Sequence, residues 1–207
     1  MGGDTPVSAF PNQESGPTIR FIDSEYNTLF RVPDGENIVL TYLDGIQETF
    51  PCRYLDDYHA IIGNRAYHIH EFALTQEMRG AIYAPTHPRP GEMIGTYEIY
   101  QLKEPHKIDY GFCSYMAAMD KLLPSHYVKV YAGVLSSKTT LENLFEKHNS
   151  NLRPRRMDMR SMSVSDVVVL NRGGKEKAYY VDTVGFQEAK RFLNPPARKR
   201  KPPAQER

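Results

Sequence analysis

Tryptophan is absent from this 207-residue chain, cysteine occurs twice and long apolar runs are missing. Two cysteines, Cys52 and Cys113, are too few for a disulfide scaffold and fit a reducing, cytoplasmic setting. The strongest apolar run, Val167-Val168-Val169-Leu170, is four residues long, far from the roughly 20 that a membrane-spanning helix needs. Met1-Gly2-Gly3-Asp4 offers neither a basic n-region nor an apolar h-region, so no secretory leader is expected. Net charge is also nearly missing, at +1, but that figure hides an asymmetry. Residues 1–151 carry 12 Lys and Arg against 19 Asp and Glu, a net of −7, whereas residues 152–207 carry a net of +8. An acidic body with a basic end fits a surface for nucleic acid or an acidic partner, and it also fits a soluble domain with a solvated tail.

What is present is an ordinary globular composition, 40% hydrophobic and 25% charged, with 15 prolines that punctuate the chain. Residues 1–18 have few large apolar groups and read as a flexible leader; residues 193–207, Pro-rich and basic, read as a disordered tail. Three prolines and a glycine within 84–91 stop helix and strand and mark a linker over 84–93. Two units remain, over 19–83 and 94–192, in an α+β chain.

The first unit reads as a small β-meander module closed by a helix. Ile38–Leu43 and Ile46–Phe50 flank Asp44-Gly45, a hairpin signal that calls for positive φ at both central residues. Ala60–Ile62 and Ala66–Ile69 flank Gly63-Asn64 in the same way. The helix runs from His70 to Arg79, with Ile69, Phe72, Ala73 and Gln76 along one side and Gly80 as its stop. About 65 residues is small for a lone core, so docking on the second unit is expected to help it.

The second unit reads β-α-β-α-β-β. Its strands are Tyr97–Leu102, Tyr127–Tyr131, Val164–Leu170 and Ala178–Asp182, the third a buried central strand. Phe112, Tyr115, Met116, Met119 and Leu123 fall at helical spacing. Thr139 to Glu142 has the form of a capping box that opens a helix carrying Leu141, Leu144, Phe145 and His148.

Ser161-Met-Ser-Val-Ser-Asp-Val-Val-Val-Leu-Asn-Arg-Gly-Gly-Lys-Glu-Lys-Ala-Tyr-Tyr-Val-Asp-Thr-Val-Gly-Phe186 strongly resembles the C-terminal signature of YodL-like domains. Tyr97–Lys103, Asp109–Phe112 at a helix start, Val128–Gly133 and Thr140–Asn149 resemble the same family, so the likeness covers about 94–190. The chain departs from that pattern at 103–109 and in its Arg-rich stretch Arg153–Arg160. Phe30–Ile38, Thr41–Gly45, Pro51–His59 and Ala66–Ala73 are similar to a large polyvalent protein-associated domain found beside YodL-like domains on bacterial conjugative elements and phages. The resemblance implies an accessory protein of a mobile genetic element and implies no catalytic residues.

The residues offer few chemical sites. Ser163, Ser165 and Asp166 supply a hydroxyl and an acid, but no histidine lies near in sequence to complete a triad; short polar side chains bonding local backbone where a strand enters a sheet explain them better. Gly173-Gly174 has no helix after it to cradle a phosphate. Cys52, His59, His68 and His70 lack metal-ligand spacing, and no metal or cofactor is expected. Asp56 and Asp57 read as turn formers. The most suggestive feature is basic: Arg153, Arg155, Arg156 and Arg160 on an expected exposed loop, with Arg198, Lys199, Arg200 and Lys201 in the tail, could track phosphates or grip an acidic partner. The expected function is therefore a non-catalytic binding protein that contacts a host or phage protein, in its specific form an anti-defence inhibitor of a restriction or CRISPR nuclease. A nucleic-acid-binding accessory protein using the basic C-terminal third is one alternative, and a hydrolase or nuclease whose site is assembled only by folding is another.

Overall fold

The computed structural model describes residues 16–89, 95–151, 153–154 and 159–195. The chain is α+β, with three antiparallel sheets and a few short helices.

Strands β1 (Thr18–Ile22) and β2 (Thr28–Pro33) form a two-stranded ribbon. Strands β3 (Asn37–Tyr42), β4 (Gln47–Asp56), β5 (His59–Ile62) and β6 (Arg65–His68) follow as a meander. Helix α1 (Glu71–Met78) closes it and β7 (Ala81–Pro85) returns beside β3, giving the order β6-β5-β4-β3-β7. Arg79 caps the helix and Gly80, at φ 73°, ends it as its position predicts.

The turns explain the register. Gly45, at φ 87°, donates to the Tyr42 carbonyl (3.0 Å) and Tyr42 donates to Ile46 O (2.9 Å). Only the glycine has positive φ, so the connection is a three-residue loop ending in a glycine bulge rather than the two-residue turn that Asp44-Gly45 predicts. Asp44 instead accepts from the Ile46 amide (3.0 Å). At Gly63-Asn64 the two-residue turn is present, again with positive φ at the glycine alone. A Cβ there would also lie 2.9 Å from the Phe50 ring.

The ribbon and β7 extend the predicted meander. Phe21 and Phe30 from the ribbon are fully buried and meet Phe72 of α1 and Tyr83 of β7, with ring centroids 4.8 to 5.3 Å apart. Each such aromatic pair adds about 0.5–1.5 kcal/mol beyond area burial. Residues 16–18 belong to this fold rather than to a leader, since Thr18 is in β1 and the Pro17 carbonyl accepts from Asp34 N (2.9 Å). Ala84 and Pro85 lie in β7 opposite Val39 and Ile38, so the strand runs into the predicted linker. Proline is tolerated there because β7 is at the sheet edge. Residues 1–15, 90–94 and 196–207 of the predicted leader, linker and tail lie outside the described residues.

The second unit is built from β8 (Gly95–Leu102), α2 (Tyr115–Ala118), β9 (Tyr127–Leu135), α3 (Leu141–Asn149), β10 (Val167–Arg172) and β11 (Lys175–Val181). The short β12 (Phe186–Glu188) and one-turn α4 (Lys190–Leu193) complete it, and the sheet order is β12-β11-β10-β8-β9. Strand β10 is central, as its unbroken apolar run predicts. Val167 and Val169 pack in one core with Ala178 and Tyr180, and Val168 packs on the opposite face with Tyr97 and Ile99. The tight β10–β11 turn uses Gly173 and Gly174, both at positive φ.

Two helical details differ from expectation. The capping box is one residue later, with Thr140 Oγ1 accepting from Asn143 N (3.2 Å) and Asn143 Oδ1 from Thr140 N (3.1 Å). Thr139 serves the preceding turn through Ser136. The stretch 109–112 is not a helix start: α2 begins at Tyr115 and lasts a single turn.

The first unit docks on the second along α1, β7 and β9. Val134 of β9 belongs to the first unit's core. Beneath α1, the buried Glu77 Oε2 accepts from Tyr131 Oη (3.0 Å) and pairs with Lys147 Nζ. Tyr97 Oη and His148 Nε2 share a 2.9 Å bond beside them.

Candidate functional site

Residues from three separate parts of the sequence, Gln101 of β8, Phe112 and Asp166, converge at one end of β10. The centre is Asp166, fully buried just before the strand. Its Oδ2 accepts from Gln101 Nε2 (2.9 Å), Ser163 N (3.0 Å) and Arg160 Nη1 (3.1 Å), and its Oδ1 pairs with Arg160 Nη2. Gln101 Oε1 in turn accepts from Arg160 N (3.1 Å), which locks the incoming chain to β8. Burial pushes the Asp166 carboxyl up to about 6, and Arg160, Ser163 and Gln101 hold it back from going higher.

Ser165, next to it, is buried at φ 78°. Its amide donates to Val181 O (3.0 Å), its carbonyl accepts from Tyr127 Oη (3.0 Å), and its Oγ accepts from Phe112 N (3.2 Å). Phe112 is itself at φ 58°, a left-handed conformation that bulky residues rarely adopt. Such backbone costs about 1–3 kcal/mol and persists where its surroundings over-determine it. Here three contacts do so. Ser165 takes the Phe112 amide proton, the Arg160 guanidinium lies 5.3 Å from the Phe112 ring centroid, and Gly111 lets the loop fold back on Pro105. A Cβ on Gly111 would stand 1.9 Å from the Pro105 carbonyl oxygen.

The loop is anchored on its other side too. Tyr110 is buried and shares a 2.8 Å bond with His126 Nδ1. Tyr180 Oη donates to Cys113 O (2.8 Å), and Tyr115 N donates to Asp182 Oδ1 (3.0 Å), which ties α2 to the turn that carries Val184. Apolar side chains carried by these anchored segments are exposed: Phe112 is 42% exposed, Met116 78% and Val184 85%. The helical spacing of Phe112 and Met116 predicts one helix for both, but Phe112 precedes α2, and no pattern in the sequence marks Val184 or Gln101. The glycine before Phe112 is the local signal of a turn there.

The predicted basic patch is arranged differently from an exposed phosphate-tracking loop. Arg160 is committed to Asp166 and Phe112 and is only 30% exposed. Arg153 is half-buried and donates to Ser161 Oγ, while Arg160 reaches Ser161 O (3.3 Å), so the two arginines meet at Ser161. Arg155, Arg156, Arg198, Lys199, Arg200 and Lys201 lie outside the described residues.

The remaining candidates have the following surroundings. Ser165 and Asp166 bond local backbone and β8, and among the described residues no histidine bonds the Ser165 hydroxyl. His59, His68 and His70 do come together, with neighbouring ring centroids 5.0 and 4.0 Å apart. Cys52 is buried in the first core, with its thiol pushed up to about 12 by burial. Among the described residues no group of three donors could hold a metal ion. Asp56 accepts from Tyr58 N (2.8 Å) and shares a 2.9 Å bond with His59 Nδ1, and Asp57 accepts from Tyr54 Oη (2.7 Å), as turn formers do. Among the described residues no helix is long and apolar enough to cross a membrane.

No curated protein and no solved structure matches the chain. Residues 96–192, which hold Gln101, Phe112, Arg160, Ser165 and Asp166, match the family model of the YodL-like domain.

Proposed function

We propose that the protein is a non-catalytic binding protein and that the surface around Phe112 is where it grips another protein. The observation that carries this reading is Phe112 itself: a bulky apolar side chain held half-exposed, on disfavoured backbone, by the buried Ser165. Interface energy concentrates in a few rigid aromatic and aliphatic anchors, and a pre-set ring loses little freedom on binding. Met116 and Val184, on α2 and on the turn hydrogen-bonded to it through Tyr115 and Asp182, are further exposed apolar groups.

The resemblance of both units to modules of conjugative elements and phages supports an accessory protein of a mobile element that contacts host machinery in the cytoplasm. Its specific form is inhibition of a restriction or CRISPR nuclease. The nucleic-acid alternative is weakened by Arg160, whose fork is already engaged, and by the net charge of −7 over residues 1–151.

The test compares wild-type protein with Phe112→Gly as baits in a lysate of the natural host, with captured proteins read by mass spectrometry. Glycine relieves the left-handed strain, so the variant is expected to fold at least as well as wild type while losing the captured protein. Equal capture by both baits overturns the assignment of the surface. Salt-steep retention on DNA or RNA by the wild type, with no protein captured, overturns the reading in favour of the nucleic-acid alternative.

A further inference from the structure

Arg160 joins the buried end of β10 to the Phe112 surface. The Asp166 carboxylate is fully buried, whereas the Arg160 side chain is 30% exposed and its guanidinium lies 5.3 Å from the Phe112 ring centroid. Arg160 therefore spans from a charge that water does not reach to a ring that meets solvent. Its fork is divided over both Asp166 oxygens, while its amide is tied separately to Gln101 Oε1 (3.1 Å). The backbone at 160 is held by β8 whether or not the fork is engaged, so the guanidinium is free to move without the chain.

The pair is close to break-even. A buried ion pair recovers its desolvation cost only when attraction and hydrogen bonds together are strong enough. Ser163 N and Gln101 Nε2 both donate to Asp166, and Arg160 is the one cation bonded to it among the described residues. Burial nevertheless pushes the carboxyl up to about 6 from an ordinary 3.8, so the folded chain holds the proton better than the unfolded chain and its uptake does not oppose folding. The other titratable groups nearby lie on known partners. Tyr127 of β9, Tyr180 of β11 and Tyr110 have hydroxyls that burial keeps protonated. Arg153 meets Arg160 at Ser161, Asp182 accepts from Tyr115 N, and Asp109 pairs with Lys121. Cys113 follows Phe112 directly, and two imidazoles face the loop: His106, 5.6 Å from the Phe112 ring, and His126 on Tyr110.

We propose that Asp166 and Arg160 form a proton-operated latch behind the Phe112 surface. With the carboxylate charged, the guanidinium is clamped between Asp166 and the Phe112 ring. Once the carboxyl takes up a proton, the fork is released into solvent beside Phe112 and the surface gains one unit of positive charge. The consequence, a grip on acidic partners that strengthens in mild acid, rests on the reading of that surface as a contact site. The latch itself is a property of the free chain.

The test is NMR of the full chain without any partner, from about pH 7.5 to about pH 5, following the Asp166 carboxyl carbon, the Arg160 guanidinium and the Phe112 ring. A two-pronged pair holds a guanidinium against rotation, so the Arg160 Nη signals are expected to be separate at the upper end and to merge at the lower end. All three groups are expected to change together, with one midpoint at about 6. Asp166→Asn, uncharged throughout, is expected to show the released Arg160 signals at every pH and no transition at Phe112. Arg160→Gln is expected to remove the Phe112 transition and to move the Asp166 midpoint upward, since Arg160 holds that carboxyl down. An Asp166 carbon that does not titrate in this range, or that titrates while Arg160 stays clamped, overturns the latch. A Phe112 transition that survives in Asp166→Asn belongs to the histidines and overturns it as well. None of these signals depends on capture of a host protein, so failure of the latch and failure of the contact surface, tested by Phe112→Gly, are read separately.

Discussion

Gly111 shows how one missing methyl group decides a surface. With 1.9 Å between its would-be Cβ and the Pro105 carbonyl oxygen, an obstacle of backbone rather than a flexible side-chain tip, Gly111→Ala must displace the loop. The expected loss is about 2 kcal/mol or more in urea unfolding, with a change in the environment of Phe112 seen in its ring resonances. Two buried titratable groups act in opposite senses with pH. His148 is held down to about 3 from an ordinary 6.5, mainly by burial and then by Lys147 and Arg153. Across that window the unfolded chain takes up a proton that the folded chain refuses, so stability falls as pH falls from about 6.5 toward 3. Asp166 is raised from 3.8 to about 6, so between these values the folded chain holds the proton and this group adds stability as pH falls. In a series of urea midpoints, His148→Phe is expected to flatten the acid-side decline. Asp166→Asn is expected to steepen it between pH 6 and 4. The sequence showed Ser165 and Asp166 as backbone-bonding residues at a strand entry, because that chemistry is local. It did not show that Arg160 serves Asp166, because Gln101, 59 residues before Arg160, completes the arrangement.

At the level of elements, hydrophobic pattern and glycine placement carried most of the information. Strand β10 was legible from four consecutive apolar residues, and its core placement follows from cover on both faces. Val168→Asp puts a charge among Tyr97, Ile99 and Val181 and is expected to abolish soluble expression, read as the fraction recovered after lysis. Helix α3 was legible, but its start was not, because two adjacent threonines precede it and both Asn143 and Glu142 can reach back. The structure assigns the cap to Thr140 and Asn143. Thr140→Ala is therefore expected to lower stability by about 1 kcal/mol, and Glu142→Ala to change it by no more than about 0.5 kcal/mol, both by urea unfolding. The β1–β2 ribbon was written in the alternation of Ile19, Arg20 and Phe21. The turn after it hid the pairing: Asp23 accepts from Glu25 N and Asn27 N, and Tyr26 at φ 63° stands where a glycine would have signalled a turn.

On the scale of the whole molecule the seam is the feature that local pattern could not reveal, since Glu77 and Lys147 are 70 residues apart. Glu77→Ala strands Lys147 and the Tyr131 hydroxyl under α1, with an expected cost of about 3 kcal/mol. That is the lower end for a buried pair, because Lys147 keeps 35% of its side chain in water. Glu77→Gln/Lys147→Met removes both charges and is expected to recover most of that loss in the same urea series. The seam also matters for how the two larger sheets end. Strand β7 bounds one of them and β9 the other, and these two strands abut each other where the units dock. The opposite margins are β6, four residues long, and β12, only three. A margin that short offers few unpaired amides and carbonyls, so neither β6 nor β12 is a ready template for recruiting a further strand. Self-association by extension of either sheet at these two margins is thereby discouraged.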